Sequence, residues 1–306
     1  MVMRKGREVL VIGGNRYFGK RLIARLLAVG DRVTVLNRGS AAPPPGVVHL
    51  VADRGDEKSL TAALGSRTFD VVVDQVCYTP RQAEIARRVF TGRTRRYVLT
   101  STVEVYEYED SIAPVREPDV DPLDVPVDLE LPWEDPEFVD AHYGEGKRQA
   151  EAVLAADPAF PYAAVRVAHV LGGDDDFTGR MAHYATRIRS GEPIAVPVVN
   201  HPATYIHVEE IADFLLWAVG EDFTGPVNAA SHGLLTTEEL CDAIAAHLPD
   251  GRTVFRPVEV GEVSPFAFTR AYGMDNSRAT RLGFRFTRAR EWLPKAVAET
   301  LGKDVV

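Results

Sequence analysis

Short runs rich in β-branched residues alternate with stretches of helical spacing, and this alternation restricts the fold more than any other feature of the sequence. The strand-like runs are residues 8–12, 32–36, 47–51, 69–74, 95–100 and 162–167. Apolar residues with helical spacing lie between most of them, at residues 20–29, 60–64, 81–90 and 147–155. Strands that are apolar on both faces favour parallel pairing under a cover of helices. The pattern predicts an α/β fold with a doubly wound parallel sheet, the Rossmann arrangement.

The length of 306 residues fits two domains. After about residue 170 the alternation becomes irregular. We therefore predict a dinucleotide-binding domain over residues 1–170. Residues 171–306 are expected to form a smaller, mainly substrate-binding domain, with segments that return to the sheet.

Charge and cysteine content exclude several classes of protein. The net charge of −9 gives no general attraction to nucleic acid or to anionic lipid. The two cysteines, Cys77 and Cys241, lie far apart and fit a reducing compartment. No apolar run reaches the length of a membrane span, and the opening MVMRKGREVLVIGG lacks the pattern of a secretory signal. We expect a cytoplasmic protein with no membrane partner.

The stretch GGNRYFG, residues 13–19, follows the first strand-like run and precedes a helical one. Backbone N–H groups and the helix dipole at such a junction attract phosphate. Gly13 and Gly19 hold the first and third positions of a dinucleotide-binding glycine motif, whereas Arg16 holds the second. The side chain of Arg16 is expected to point outward, over the adenosine half of a cofactor.

The end of the second strand bears on which cofactor is bound. It reads Asn37-Arg38, where a protein that prefers NAD usually has an acidic residue for the ribose 2′-hydroxyl. Because arginine pairs well with phosphate, the sequence favours NADP over NAD. The alternative is that Arg16 and Arg38 are solvated and the chain takes NAD. Asp53 either reaches the adenine or is a solvated turn residue. The predicted cofactor-binding residues are Gly13, Asn15, Arg16, Tyr17, Phe18, Gly19, Asn37, Arg38, Asp53 and Lys147.

Tyr143 and Lys147 stand four residues apart, so a helix places both side chains on one face. An ammonium about 4 Å from the phenol contributes up to roughly 4 kcal/mol at an effective dielectric of 20, or about three pKa units. That shift would bring tyrosine into a range useful for proton transfer near pH 7. Hydroxyls of residues 100–102 end the fifth strand, where a doubly wound sheet faces its ligand. They are either site groups or ordinary strand and turn residues.

Three motifs follow one another along the chain: the glycine loop, then TSTVEVY (residues 100–106), then YGEGK (residues 143–147). In this order they resemble the extended short-chain dehydrogenase/reductase family, in its nucleotide-sugar epimerase and dehydratase branch. The resemblance extends over nearly the whole chain. It implies that Tyr143 is the acid/base, that Lys147 holds the nicotinamide ribose and lowers the tyrosine pKa, and that Thr102 hydrogen-bonds the substrate hydroxyl. The resemblance also suggests a homodimer.

Glu104 is the most informative position within this resemblance. Sugar-nucleotide dehydratases read Thr-Asp-Glu here and related decarboxylases Thr-Ser-Glu, whereas this chain reads Thr102-Val103-Glu104. The matched glutamate would be a base for a carbon-bound proton. Because Val103 replaces the acid, epimerisation or ketone reduction suits the site better than water elimination. The alternative is an exposed glutamate at a strand end.

The expected activity is that of an NAD(P)-dependent epimerase, dehydratase or reductase acting at a hydroxyl carbon, with a nucleotide-sugar as the favoured substrate. Two alternatives stay open: a carbonyl reductase for another small molecule, and a non-catalytic dinucleotide sensor or RNA-associated protein. Arginines 87, 88, 93, 95 and 96 cluster locally, although the net charge opposes a nucleic-acid partner. Arg166, Arg180 or Arg270 would neutralise a diphosphate.

Three further expectations concern single residues and one acidic segment. His142 and His207 are expected to be structural rather than to contact the substrate. No group of residues has metal-ligand spacing, so no metal site is assigned. Residues 107–140 hold thirteen acidic residues and one basic residue, and their composition predicts a surface loop that acts as a lid.

Overall fold

The computed structural model describes residues 6–40 and 42–302, so the first five residues of the opening segment lie outside the described part of the chain. The chain divides into two compact units. The first unit comprises the described residues of Met1–Tyr108, Glu117–Val167 and Ala212–Val227. The second unit comprises those of Glu109–Arg116, Ala168–Ile211 and Asn228–Val306.

Strands and helices alternate through most of the chain. The strands are β1 (Glu8–Ile12), β2 (Arg32–Asn37), β3 (Val48–Val51), β4 (Val71–Asp74), β5 (Tyr97–Thr102), β6 (Tyr162–Val167), β7 (His169–Leu171), β8 (Ile194–Pro197), β9 (Ala203–His207), β10 (Gly225–Ala229), β11 (Leu234–Leu235) and β12 (Phe255–Val258). The helices are α1 (Tyr17–Ala28), α2 (Glu57–Leu64), α3 (Pro80–Phe90), α4 (Pro136–Ala141), α5 (Tyr143–Ala155), α6 (Arg180–Ser190), α7 (Val208–Gly220), α8 (Thr237–Ala245), α9 (Ser277–Arg281) and α10 (Ala289–Leu301). Short 3₁₀ helices lie at Val103–Tyr106, Glu117–Val120 and Pro122–Asp124.

The large sheet has the strand order β10-β6-β5-β4-β1-β2-β3 among the described residues. The β1/β2, β1/β4, β2/β3, β4/β5 and β5/β6 pairs are all parallel. Central valines such as Val11 and Val72 are wholly buried, which is why these strands read as continuous apolar runs. The predicted doubly wound sheet is therefore confirmed, and each predicted strand-like run appears with ends shifted by no more than two residues.

Helices α2 and α3 start earlier than the apolar spacing alone predicts, and a polar side chain caps each of them. Asp56 accepts hydrogen bonds from the backbone N–H groups of Lys58 and Ser59 at the start of α2. Thr79 caps α3, whose first residue is Pro80. A side-chain oxygen at this position satisfies an N–H group that has no partner within the helix. The start of α3 is thereby fixed directly after the loop that follows β4.

The acidic segment is more ordered than its composition predicts. Within the first unit, Glu117, Val120 and Trp133 are buried. The Trp133 indole N–H donates to the carbonyl oxygen of Asp128, and the Asp128 N–H donates to the side-chain oxygen of Gln149 on α5. Most carboxylates of the segment are exposed, as predicted for a surface loop, but the buried residues Glu117, Val120 and Trp133 attach it to the protein.

The second unit has its own apolar core. Its described strands form a sheet of order β11-β9-β7 and a parallel β12/β8 pair. Tyr184 of α6, Ile244 of α8 and Val297 of α10 lie in one buried cluster. Thr236 and Glu239 form a capping box at the start of α8.

The helices are short relative to the thickness of a bilayer. Helices α5, α7 and α10 each have 13 residues, whereas a membrane span needs about 20. Within residues 6–40 and 42–302, no helix is long and apolar enough to cross a membrane.

Candidate active site

The glycine loop connects β1 to α1 through backbone conformations that favour glycine. Gly13 and Gly14 have φ values of 81° and 78°, and Tyr17 also has a positive φ of 51°. A Cβ atom on Gly13 would lie 2.8 Å from Cγ1 of Val76, and one on Gly19 would collide with the Gln75 side chain and with Gly14. The loop therefore packs closely against the residues that follow β4, and glycine is required at these positions.

The amino end of α1 suits a phosphate group. Arg16 is the N-cap residue, its backbone is extended, and its side chain makes no capping hydrogen bond. The first turn of α1 contains no acidic residue, so no carboxylate opposes an anion there. The side chain of Arg16 is exposed, whereas Tyr17 is buried and Phe18 is partly buried next to it. The geometry of the loop fits the pyrophosphate of a dinucleotide.

The remaining residues predicted to bind the cofactor differ in their exposure and in their hydrogen bonds. The side-chain oxygen of Asn37 accepts from the Gly39 N–H at 2.7 Å and lies 3.0 Å from Nε2 of His49. Arg38 is exposed at the end of β2. Asp53 is exposed, and its carboxylate accepts from the Gly55 N–H in the turn after β3. Asn15 is partly buried within the glycine loop.

Two glycines allow the first turn of α5 to approach its neighbours. A Cβ atom on Gly144 would meet the carbonyl oxygen of Glu104 at 2.5 Å, and one on Gly146 would collide with the carbonyl oxygen of Tyr78. The sequence YGEGK thus places α5 against the ends of both β4 and β5. This contact brings Tyr143 and Lys147 beside the strand end that was predicted to face the ligand.

Tyr143 and Lys147 lie together on α5, as their spacing predicts. The Lys147 ammonium lies 5.8 Å from the ring centroid of Tyr143 and 4.7 Å from that of Tyr78. The rings of Tyr78 and Tyr143 are 6.1 Å apart. The ammonium donates a hydrogen bond of 2.7 Å to the carbonyl oxygen of Thr100 on β5. Tyr78 is a member of this group that the sequence analysis missed.

The environment of Lys147 is unusual for a lysine. Its side chain is buried, and burial lowers its pKa to about 8, although Cys77, Asp74 and Glu151 favour the charged form. Desolvation also raises the pKa of the Cys77 thiol to about 11. Perturbed groups of this kind gather at functional sites. The lysine can therefore change its charge close to neutral pH.

The strand-end hydroxyls have different partners. Thr102 is buried, and its Oγ1 accepts from the Glu104 N–H at 3.3 Å, capping the 3₁₀ helix that follows β5. Ser101 Oγ donates to Glu151 of α5 at 2.5 Å. Glu104 lies one residue past Val103 on the same short helix and is partly buried rather than exposed. Thr102 and Glu104 stay candidates for the substrate side of the site.

A buried polar network supports the loop after β4, and no motif in the sequence indicates it. Arg54 Nε donates to Asp74 Oδ2 at 2.9 Å, and the Tyr97 hydroxyl donates to the same oxygen at 2.6 Å. Burial opposes the charge of Arg54, but the Asp74 carboxylate raises the Arg54 pKa above its usual value. Asp74 Oδ1 accepts from the Val76 N–H, so the network fixes the loop that contacts the glycine loop.

Arg166 is not available to a diphosphate, contrary to one of the sequence alternatives. Its side chain is 0% exposed, and its guanidinium donates to both carboxylate oxygens of Glu151. It also donates to the Tyr106 hydroxyl and to the carbonyl oxygens of Glu117 and Val120. Arg166 therefore holds β6, α5 and the start of the acidic segment together within the first unit.

In the second unit, His169 lies within a group of aromatic rings, which we call the His169 cluster. The other members are Tyr205, Phe266, Phe268 and Tyr272, with ring centroids 5.0–5.9 Å from the His169 ring. Among the described residues, His169 Nε2 and the Tyr205 hydroxyl are buried without a hydrogen-bond partner. A buried polar atom without a hydrogen-bond partner destabilises the folded protein.

Two arginines named in the sequence analysis lie beside this cluster. Burial, followed by the charges of Arg180 and Arg270, lowers the pKa of His169 to about 3. The Arg180 guanidinium lies 5.9 Å from the ring centroid of Phe266, and that of Arg270 lies 3.8 Å from the ring centroid of Tyr272. Neutral polar groups and positive charge thus converge in one place. The sequence gave no periodic or motif signal for His169.

The other histidines considered in the sequence analysis have protein partners. His142 Nδ1 lies 2.9 Å from the Phe138 carbonyl oxygen, and the His142 ring stacks on the Phe138 ring. His207 Nε2 lies 3.1 Å from a carboxylate oxygen of Glu299. Within the described ranges 6–40 and 42–302, no three His, Cys, Asp or Glu side chains are grouped so that they could hold a metal ion.

Comparisons with known structures show the same fold. The structure of the Bordetella bronchiseptica enzyme WbmH in complex with NAD⁺ superposes with a TM-score of 0.72 at 18% identity, covering 97% of both chains. The UDP-glucose 4-epimerase of Thermotoga maritima, solved with UDP-glucose, superposes with a TM-score of 0.72 at 19% identity, covering 97% of this chain and 99% of that one. At these identities the similarity shows a shared fold.

Curated relatives match at the level of sequence. UDP-glucuronic acid decarboxylase 2 of Arabidopsis thaliana is 25% identical over 288 residues, which is 83% of this chain and 60% of that protein. The chloroplast stem-loop binding protein of 41 kDa b from the same plant is 24% identical over 234 residues, 71% of this chain and 56% of that protein. The chain thus spans less than two thirds of the length of these two relatives.

The glycine loop, the parallel sheet and α5 all lie within the part of the chain that matches a family model. This model, described as the NAD dependent epimerase/dehydratase family, matches residues 9–230. The match includes every residue predicted to bind the cofactor or to act in catalysis. The resemblance to nucleotide-sugar epimerases and dehydratases is confirmed at this level, and the chain belongs to the NAD dependent epimerase/dehydratase family.

Proposed function

We propose that the chain is an NAD(P)-dependent enzyme that acts at a hydroxyl-bearing carbon of a nucleotide-sugar, by transient oxidation in an epimerisation or by simple reduction. The observation that carries the proposal is the position of Tyr143 and Lys147. Both lie on α5 at the end of β5, in the unit that also contains the glycine loop. A phenol next to an ammonium at the ligand end of a doubly wound sheet suits proton transfer to and from a hydroxyl.

Each side chain has a proposed task. Tyr143 moves the proton of the substrate hydroxyl at its phenolic oxygen, and the Lys147 ammonium stabilises the phenolate that results. Thr102 Oγ1 hydrogen-bonds the same hydroxyl, and Glu104 is a base for a proton bound to carbon. When bound, the nicotinamide supplies the hydride exchange with the substrate carbon. In this proposal residues 1–170 hold the cofactor, and residues 171–306 mainly hold the substrate.

The cofactor preference is part of the proposal. Exposed Arg38 directly follows β2, the first turn of α1 is free of carboxylates, and exposed Arg16 is the N-cap residue of α1. These features favour NADP, whereas the WbmH structure contains NAD⁺. In calorimetric titrations we expect NADP⁺ to bind more tightly than NAD⁺, and Arg38→Ala to weaken NADP⁺ more than NAD⁺. Equal losses for both cofactors would show that Arg38 does not bind the 2′-phosphate.

The names of two relatives support a nucleotide-sugar as the substrate. They are a UDP-glucuronic acid decarboxylase and a UDP-glucose 4-epimerase. A homodimer is also part of the proposal.

The test is a turnover assay with a panel of UDP-sugars in the presence of NADP⁺ or NAD⁺. Product formation with no net change in reduced nicotinamide indicates epimerisation or decarboxylation, and net consumption of NADPH with carbonyl compounds indicates a reductase. Tyr143→Phe should abolish turnover and leave cofactor affinity nearly unchanged. Tyr108→Phe, at an exposed tyrosine, is the matched control. Full activity of Tyr143→Phe would contradict the assignment.

One relative is named for stem-loop binding, which makes an RNA-binding role the second candidate. The local arginine cluster does not favour it. Arg87 and Arg88 pair with Glu84, Arg95 with Asp70, and buried Arg96 donates to the carbonyl oxygens of Ala218 and Phe223. Tight, steeply salt-dependent binding of a stem-loop RNA would revive this candidate.

A further inference from the structure

Tyr78 occupies a defined place beside the Tyr143–Lys147 pair, although no sequence motif identifies it. It is the last residue before Thr79, the N-cap of α3, and its backbone N–H donates to Gln82 Oε1 at 2.7 Å. Its carbonyl oxygen is the atom that Gly146 allows α5 to approach. The backbone of Tyr78 is thus fixed on one side by α3 and on the other by α5.

The Tyr78 ring lies closer to the Lys147 ammonium than the Tyr143 ring does. The distance from Nζ to the ring centroid is 4.7 Å, which is 1.1 Å shorter than the distance to the ring of Tyr143 (5.8 Å). A cation within about 6 Å of an aromatic ring is attracted by the electrons of its face. This attraction increases where water is excluded, and Lys147 is buried.

The ammonium has few other sources of stabilisation. Its hydrogen bond to the Thr100 carbonyl holds it toward β5. Among the described residues no carboxylate lies within ion-pair distance of Nζ. From β4 and its loop, Asp74 and Cys77 favour the charged form, as does Glu151 on α5, whereas buried Arg54 opposes it. The Tyr78 ring, with its centroid 4.7 Å from Nζ, is therefore placed to favour the charged form of the lysine.

We propose that Tyr78 is a positioning residue for the Tyr143–Lys147 pair: its ring holds the Lys147 ammonium beside Tyr143 and favours the charged form of the lysine. The loop that carries Tyr78 is itself fixed by the hydrogen bond from the Val76 N–H to Asp74. The catalytic meaning of this contact rests on the proposed function. The contact itself does not, because it can be measured in the protein without substrate.

The decisive experiment measures the titration of Lys147 directly. The chain has six lysines, so a protein labelled with ¹³C at lysine Cε gives few NMR signals, and Lys147→Arg assigns the one of interest. Tyr78→Phe keeps the ring and should leave the pKa of Lys147 near that of the wild type. Tyr78→Leu removes the ring and should lower this pKa by about half a unit to one and a half units.

A second series keeps the shape of the ring and changes only its electrons. Phenylalanines with an increasing number of fluorine atoms, incorporated at position 78, weaken the negative face of the ring stepwise. The pKa of Lys147 should fall with each step, which a role in packing alone would not cause. This series decides the question even if Tyr78→Leu does not fold. A pKa that stays constant across the fluorinated series would overturn the proposal.

Turnover separates this proposal from the proposed function. If the enzyme is active, the ring-free variant should lower kcat, leave KM nearly unchanged and move the pH dependence of Lys147 to lower pH, and Tyr78→Phe should restore all three. If no UDP-sugar or carbonyl compound is turned over, the proposed function fails, while the NMR titration still supports or refutes the contact between Tyr78 and Lys147.

Discussion

The pair formed by Arg166 and Glu151 should be the most sensitive ionic contact of the first unit. Both side chains are buried, with exposures of 0% and 1%, and the shortest distance between their charged atoms is 2.7 Å. Glu151→Gln keeps the shape of the acid but removes its charge, so Arg166 is left charged in a site from which water is excluded. Breaking a buried pair in this way costs about 3–5 kcal/mol of unfolding free energy.

The opposite change has a second consequence. Arg166→Met leaves Glu151 unpaired and also removes the donors to the carbonyl oxygens of Glu117 and Val120. Each buried carbonyl oxygen that loses its hydrogen-bond donor lowers the free energy of unfolding by about 1–3 kcal/mol more. The double variant no longer contains an unpaired charge, so it should be more stable than the sum of the two single losses predicts, with a coupling of about 2–3 kcal/mol.

Urea unfolding of the two single variants and the double variant measures these values. Arg88→Met is the matched control, because its pair with Glu57 is about half exposed and should contribute less than about 1 kcal/mol. Limited proteolysis adds a local readout, since only variants without Arg166 should become susceptible near residues 117–124. This account of the pair would be refuted if either single variant lost less than about 1 kcal/mol of unfolding free energy, or if the double variant lost the full sum of the two single losses.

Two further predictions concern α5. The pKa of Lys147 in the folded protein, about 8, lies below the ordinary lysine value of 10.5, so the unfolded chain binds the proton more tightly and the free energy of unfolding rises with pH between these values. Between pH 7 and pH 11, the free energy of unfolding of the wild type should rise by about 3 kcal/mol relative to that of Lys147→Met, as measured by urea unfolding at each pH. If the free energies of unfolding of the two proteins changed in parallel with pH, the burial of a charged lysine would be contradicted. Gly146→Ala should cost about 1–3 kcal/mol because its Cβ collides with the Tyr78 carbonyl, whereas in an open helix the same change stabilises by roughly 0.5–1 kcal/mol; a stabilised variant would show that α5 can move.

The sheet and the glycine loop could be predicted because each leaves a regular trace in the sequence. Strands buried on both faces require apolar residues throughout, and a loop that packs against Val76 and Gln75 requires glycine. Tyr143 and Lys147 could be paired for the same reason, since the helix fixes their spacing. These features depend on local geometry, which the order of residues records directly.

The remaining features depend on contacts between distant parts of the chain. Arg54, Asp74 and Tyr97 come from separate segments, and none of the three stands in a pattern that indicates the others. Asn37 stands where a cofactor residue was predicted, but its side-chain oxygen binds within its own turn. His169 and Tyr78 are likewise defined by the rings around them. Such contacts have no period, so the sequence alone did not reveal them.

The composition of the acidic segment was misleading for a related reason. Charged residues usually indicate solvent, and most carboxylates of the segment are exposed. Part of its attachment depends on backbone carbonyl groups, which every residue carries, and on one buried arginine that lies in β6. The amino-acid composition of the segment does not indicate hydrogen bonds between its carbonyl groups and a distant arginine.

The short loop between β4 and α3 constrains how the sequence of this protein can change. On one side Val76 fills the space that Gly13 leaves, and on the other the Tyr78 carbonyl fills the space that Gly146 leaves. An insertion or deletion in this loop would displace both contacts together, even though the two glycines belong to distant parts of the chain. Homologous chains are therefore expected to keep the length of this loop constant while the exposed turn after β2 varies, and a change at one of the glycines should be accompanied by a change in the loop.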